Sequence, residues 1–271
     1  MRATSQASLR AASDRWEPVL RQAGASAADY GAQLYAVVDA LDNSAGLRRA
    51  LTEPTRDGED KAAVVRQILG DKVAAAVVDL LSGMVRGRWS SDTDLADSVD
   101  ELATESYLAA AQTQGELAQV EDEVFRLSRV LSDQRELRFA LSDRDASAQR
   151  RLALFDSTFG SRLGVYTRAL VARALTSLRS RSVSAALTRI IELAARRRQQ
   201  LVAVVTSAIP MTSAQQDRLA GILATAYGRD VQLNIAVDPD VVGGFRIQLG
   251  DEVVDATIGA RLDNARRRLA G

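Results

Sequence analysis

Residues 41–53, LDNSAGLRRALTE, and residues 131–143, LSDQRELRFALSD, align without a gap at an offset of ninety positions. A unit that recurs at fixed spacing must be built twice from the same elements, and its copies bury their apolar faces within themselves or against each other. The register extends upstream, where Tyr30, Leu34, Val37 and Leu41 correspond to Val120, Val124, Leu127 and Leu131. Both sets step by three or four, which places each on one face of an amphipathic helix. Further up, Leu9, Ala12 and Val19 correspond to Val99, Leu102 and Ala109. Downstream, Lys61, Ala63, Val64, Val65 and Leu69-Gly70 correspond to Arg151, Ala153, Leu154, Phe155 and Phe159-Gly160. The two glycines read as helix C-caps.

The first copy is expected to form helices over about 2–22, 27–42, 44–51, 58–69 and 72–87. The second follows with 93–113, 116–132, 134–141, 147–159 and 161–178, and a last helix over 182–199. Short polar connections imply antiparallel neighbours, and the helix beginning near Leu95 would close the first bundle and open the second. With aromatics at 4% and alanine and leucine abundant, the composition is that of packed helices. The expected fold is mainly α with a small α+β module. Two tandem antiparallel bundles, 1–105 and 106–199, precede a C-terminal mixed sheet with flanking helices over 200–271.

From Gln200 the texture changes. QLVAVVTSA is β-branched and strand-like, Pro210 ends it, and Thr212 with Gln215 forms a capping-box pattern that opens a helix reaching Tyr227-Gly228. DVQLNIAV alternates with Val231, Leu233, Ile235 and Val237 on one face, as a half-buried strand does. After the Asp238-Pro239 turn, Gly243-Gly244 precede a strand with Phe245, Ile247 and Leu249 inward and Arg246 and Gln248 outward. Gly250-Asp251 reads as a hairpin into Glu252-Val253-Val254, and a helix over 257–269 ends the series β-α-β-β-β-α. A phosphate-binding loop needs a Gly-rich turn leading from a strand into a helix N-terminus. Here the pair leads into a strand, so it reads as a turn or bulge.

Chemistry is scarce. The chain has no cysteine and no histidine, which excludes thiolate nucleophiles, imidazole bases and the usual zinc ligands. Carboxylates remain, as Glu121, Asp122 and Glu123 or Asp251, Glu252 and Asp255, but consecutive helical carboxylates fan apart and acidic residues are routine in turns. No catalytic residue, cofactor or metal is expected. The Arg196-Arg197-Arg198 and Arg266-Arg267-Arg268 tracts suggest a nucleic-acid or anionic-surface binder as an alternative. Adjacent helical charges diverge, however, and cations near a helix C-terminus have a bland electrostatic reason. The formal net charge is zero, so no global field gathers polyanions. The copies differ locally: residues 1–113 hold 12 basic and 17 acidic side chains, whereas 114–200 hold 16 and 10. The opening MRATSQASLRAASDRW lacks the apolar core of a secretory signal, and the longest uncharged apolar stretch, Leu201 to Met211, is too short to span a bilayer.

VDPDVVGGFRIQLGDEVVDATIGARL, residues 237–262, resembles the C-terminal signature of the ATP synthase delta subunit family, which includes the mitochondrial oligomycin-sensitivity-conferring protein. The resemblance rests on Val237-Asp238, Val241, Gly243-Gly244, Gly250-Asp251, Val254-Asp255 and Arg261-Leu262, and extends back to about residue 95. It implies a non-catalytic stator subunit. An N-terminal six-helix bundle would hold the N-terminal helices of the alpha subunits, and the C-terminal region would grip the membrane-anchored b stalk. It further implies a site at the cytoplasmic face of the bacterial membrane, peripheral through the complex, with no small-molecule substrate and no nucleic acid. In that family the alpha helix docks between the first and fifth helices of the bundle. In the first copy here that groove would involve Ala11, Ala12, Trp16, Val77, Leu81 and Met84, with Trp16 as an exposed anchor. The first ninety residues are an additional bundle relative to the short form of the family, so the resemblance leaves open which copy receives the helix.

Overall fold

The computed structural model describes residues 1–177, 182–199, 201–227, 231–238, 241, 244–249 and 252–255. Contacts divide the chain into a helical unit, Met1–Ala195, and a C-terminal unit, Arg196–Gly271.

The helical unit repeats itself element by element. The first copy comprises α1 (Ala3–Ala23), α2 (Ala27–Asn43), α3 (Ala45–Thr52), α4 (Gly58–Leu69) and α5 (Ala75–Arg86). Next come α6 (Asp92–Thr113), α7 (Leu117–Asp133), α8 (Arg135–Ser142), α9 (Ala148–Phe159), α10 (Val165–Thr176) and α11 (Val183–Gln199). Helices α2 to α5 and α7 to α10 begin and end ninety positions apart, and α1 and α6 end ninety apart. Helix α6 is therefore at once the sixth helix of the first copy and the first of the second, as its position in the repeat predicts.

Two apolar cores meet on α6. The first gathers Trp16, Leu20, Leu34 and Met84 with Leu95, Val99 and Leu102 of α6; the second gathers Val124, Leu131, Phe155 and Leu170 with Leu108 and Ala111 of the same helix. Thirteen of its 22 residues are buried, because neighbours pack on more than one of its faces. Its alanines let neighbours approach closely, most of all α2: a Cβ on Gly31 would lie 2.6 Å from the Tyr107 ring and 2.9 Å from the Ala103 carbonyl. Glycine is required there by contact, not by backbone conformation.

The repeated residues recur because they terminate helices in the same way. Arg48 donates from Nη1 to the carbonyls of Leu41 and Asp42 at the end of α2, and Arg138 does the same to Leu131 and Ser132 at the end of α7. These carbonyls have no partner within their own helix, and a cation also complements the negative helix end. Buried Lys61 reaches the Glu53 carbonyl, and its counterpart Arg151 reaches that of Asp143. The N-termini of α5 and α10 are held from a distance: Ala74 N–H donates to Gln33 Oε1 at 2.7 Å and Gly164 N–H to Glu123 Oε2 at 3.0 Å. This capture explains why the fifth helices start at Ala75 and Val165, a few residues later than periodicity predicts. Gly70 and Gly160 do occupy C-cap positions, but in the right-handed conformation, with φ of −51° and −56°.

In the C-terminal unit, strands β1 (Leu201–Ser207), β2 (Val231–Val237), β3 (Phe245–Leu249) and β4 (Glu252–Asp255) form a sheet in the order β2-β1-β3-β4. Strands β1 and β2 are parallel, joined by α12 (Ser213–Tyr227), while β1–β3 and β3–β4 are antiparallel. The capping box forms as expected, with Thr212 N–H on Gln215 Oε1 and Gln215 N–H on Thr212 Oγ1. Leu219 and Leu223 of α12 pack on Val205, Val231 and Ile247. Alternation holds on β3, where Ile247 is buried and Arg246 and Gln248 are exposed, and departs at the end of β2, where Val237 is 49% exposed beyond the reach of the core. The predicted helix over 257–269 lies outside the described residues.

Buried Arg151 donates to three carbonyls, those of Leu175, Asp143 and Ala146. Arg151→Met removes the donors and leaves these carbonyls short of partners, which is expected to lower stability by roughly 3 kcal/mol. Lys61→Met, which removes one 3.5 Å bond, is expected to cost less, about 1 kcal/mol. Chemical denaturation of the two variants checks the order.

Candidate functional site

Helices α1 and α5 enclose a groove of about 550 Å³. Its walls are Arg15, Val19, Gln22 and Ala23 on one side and Ala76, Asp79, Leu80 and Gly83 on the other, over Trp16 and Tyr30. The interior is largely apolar with three polar side chains, Arg15, Gln22 and Asp79. Arg15 donates from Nε to the Ala11 carbonyl, and its guanidinium lies against the face of Gly83, 3.4 Å from where a Cβ would stand.

This groove runs between the two helices expected from the resemblance, but of the residues singled out for it only Trp16 borders it, as its floor. Ala12, Trp16, Val77, Leu81 and Met84 are each at most 4% exposed and belong to the first core, while Ala11 is exposed. Trp16 is not the exposed anchor the sequence suggested: it is 1% exposed, donates from Nε1 to Ser106 Oγ at 2.9 Å, and packs against Tyr30 with ring centroids 5.6 Å apart. A buried indole needs an acceptor for its N–H, and Ser106 of α6 supplies it. The steps of four that join Ala12, Trp16 and Leu20, all buried on α1, are the signal in the sequence that points residue 16 inward.

The second copy has the same positions in a different state. Counterparts of Arg15, Trp16, Ala76 and Gly83 are Glu105, Ser106, Tyr166 and Arg173, and each meets the first copy. Ser13 donates to Glu105, Trp16 donates to Ser106, and Tyr166 packs against both cores. Arg173 donates to Asp39 at 2.6 Å and to Asp100 at 3.3 Å, and its guanidinium stands 4.6 Å from the centre of the Tyr35 ring. Tyr35 in turn stacks on Tyr107 at 5.7 Å and shares a hydrogen bond with Thr104. Burial, then the nearby Asp100 carboxylate, pushes the Tyr35 hydroxyl far above its ordinary range. Burial works against the charge of Arg173, but Asp39 and Asp100 outweigh it and hold the guanidinium more firmly protonated.

The remaining candidates separate. Asp122 pairs with Arg126, whereas Glu123 turns to α10, so the carboxylate run does not converge. Arg197 is 7% exposed and Arg198 exposed, so this arginine tract does not form one basic face. Asp238 closes the turn after β2, its N–H on the Ser207 carbonyl and its own carbonyl accepting from Val241. Gly244 has φ +81° and leads into β3, a turn conformation that glycine favours. Gly243, Gly250, Asp251, Arg261 and the Arg266–Arg268 tract lie outside the described residues. Among the described residues, no helix is long and apolar enough to cross a membrane, and no three acidic residues gather as a metal site.

The sequence model of the ATP synthase delta (OSCP) subunit matches residues 103–269, from within α6 onward. An ATP synthase subunit delta of Beutenbergia cavernae is 55% identical over 271 residues, covering 100% of both chains. One of Streptomyces griseus is 42% identical, again over 100% of both chains, and one of Thermobifida fusca is 38% identical over the same full coverage. The additional first copy is thus part of these relatives too.

Trp16 supports the groove from below. Trp16→Ala is expected to cost roughly 3–5 kcal/mol by opening a cavity in the first core. Trp16→Phe keeps most of the volume and loses the bond to Ser106, for about 1 kcal/mol. Comparing denaturation midpoints of the two variants tests this placement.

Proposed function

The chain belongs to the ATP synthase delta (OSCP) subunit family, and we propose that it links the alpha subunits of the catalytic head to the membrane-anchored b stalk as a stator subunit. The observation that carries this reading is the family match over residues 103–269 together with relatives matched over their full length. The physics of the fold supports it. A tether that opposes rotary torque must transmit load without yielding, and interlocked helices packed at crystal-like density do so where loops would not.

In this reading the α1–α5 groove takes an N-terminal helix of an alpha subunit. Its apolar interior accepts the i, i+3, i+4 and i+7 side chains of an amphipathic helix, with Arg15 and Asp79 available to charged flanks. The C-terminal unit holds the b stalk. The subunit performs no catalysis and lies at the cytoplasmic face of the membrane through its complex. Nucleic-acid binding is the weaker reading, because Arg197 is turned inward and cannot join Arg196 and Arg198 in a common basic surface.

Removing residues 200–271 is expected to release the b stalk while leaving a folded helical unit that still binds alpha. Affinity co-purification from detergent-solubilised membranes reads both contacts at once. Retention of b together with loss of alpha by the truncated chain would reverse the assignment.

A further inference from the structure

A helix shared by two cores resists tilting of one copy against the other. Rotation about its own axis is held by the contacts made around it. Several polar links of the seam end on α6 itself: Trp16 to Ser106, Ser13 to Glu105, Tyr35 with Thr104, and Arg189 to Glu101. Arg173 does something different. From α10 it donates to Asp39 of α2 at 2.6 Å and to Asp100 of α6 at 3.3 Å, and its guanidinium lies 4.6 Å from the centre of the Tyr35 ring. Tyr35 and Asp39 are four apart and so share one face of α2. One side chain therefore joins α10 of the second copy directly to α2 of the first.

The surroundings leave this work to Arg173. A cavity of about 290 Å³ lies beside it, bounded by residues that include Tyr35, Asp100, Thr104, Leu170 and Arg189, so close packing does not lock this side of the seam as it locks the cores. An exposed ion pair would hold little. Here the guanidinium side chain is 11% exposed, is shared between two carboxylates and lies over an aromatic ring, contacts that suit its planar fork of donors. The repeat shows that the arrangement belongs to the seam and not to the bundle. Arg173 stands where the first copy has Gly83, and Tyr35 and Asp39 stand where the second has Phe125 and Arg129. Residues that end helices recur between the copies; these three do not.

We infer that Arg173 is a positioning residue, a clasp that fixes the rotation of the second copy against the first about α6, so that the helical unit passes torque as one body. Its purpose rests on the stator reading above; its geometry does not. Without the clasp each core keeps its packing and α6 stays shared, while the two copies gain torsional play. In a tether that opposes rotation, such play absorbs part of each step that should drive synthesis.

The chain has no cysteine of its own, so Ala63→Cys and Ala153→Cys, at equivalent exposed places on α4 and α9, carry a pair of spin labels whose distance reads the rotation of one copy against the other. Pulsed dipolar spectroscopy of the full chain is expected to give one narrow distance distribution. It broadens in Arg173→Met and in Asp39→Ala, with circular dichroism unchanged. Asp39→Glu, which keeps the accepting charge, is expected to retain the narrow distribution, a rescue that a residue merely filling space would not show. The Asp39 side chain is 58% exposed, so its replacement decides the question even where Arg173→Met fails to fold. In the assembled ATP synthase, the folded variants are expected to lose proton-driven ATP synthesis while ATP hydrolysis is retained. Distributions as narrow in Arg173→Met or Asp39→Ala as in the parent chain would overturn the clasp and leave the stator reading standing. Broadening without loss of synthesis would overturn its place in torque transmission. Normal coupling in membranes lacking the whole subunit would overturn the stator reading and this purpose with it, while the labelled chain still decides the geometry.

Discussion

Helix α6 is the element on which the rest of the helical unit depends. Leu95, Val99 and Leu102 face one core and Leu108 and Ala111 the other, so neither copy is complete without it. A helix buried on both sides cannot be shared loosely: any tilt that improves one core opens the other, and close packing makes both costly. The two copies therefore behave as one stiff body. Polar links reinforce the seam, from Trp16 to Ser106, Ser13 to Glu105, Arg173 to Asp39 and Arg189 to Glu101.

After duplication the copies kept what ends their helices and changed what faces outward. Arg48 and Arg138, Lys61 and Arg151, and Gln33 and Glu123 satisfy equivalent backbone groups in equivalent places. An unsatisfied buried backbone group costs more than its hydrogen bond contributes, which explains why these positions recur while the surface drifts. Gln33 and Glu123 show the latitude available: an amide or a carboxylate can accept the same N–H, provided it is held at the same point above the fifth helix.

Surface divergence gives the two copies different surroundings at equivalent positions. Gly83 and Arg173, or Tyr35 and Phe125, occupy equivalent backbone positions, but their surroundings differ because the first copy has a successor in the chain and the second has none. The C-terminal unit contributes a different kind of surface, a four-stranded sheet with α12 on one face. A stator joins unlike partners, and a chain built from a helical unit and a sheet-based unit presents unlike surfaces for them.

Much of the architecture was legible in the amino-acid order itself. Apolar residues at three- and four-residue steps specified the helices, alternation around Ile247 specified a strand, the Thr212–Gln215 pair specified a helix start, and the ninety-residue register specified two copies sharing α6. These are local signals, set by helix and strand periods and by capping chemistry. Which row of α1 would be buried was also written in its periodicity, yet Trp16 was read as an exposed anchor because a large aromatic at a groove suggests contact with a partner. Its true role depended on Ser106, ninety residues away, an acceptor that no local pattern pairs with it. Likewise, identical spacing made Tyr35 and Phe125 equivalent on paper, and only the folded chain buried the first and exposed the second. Burial depends on what packs across a helix face, and packing is a property of the three-dimensional neighbourhood.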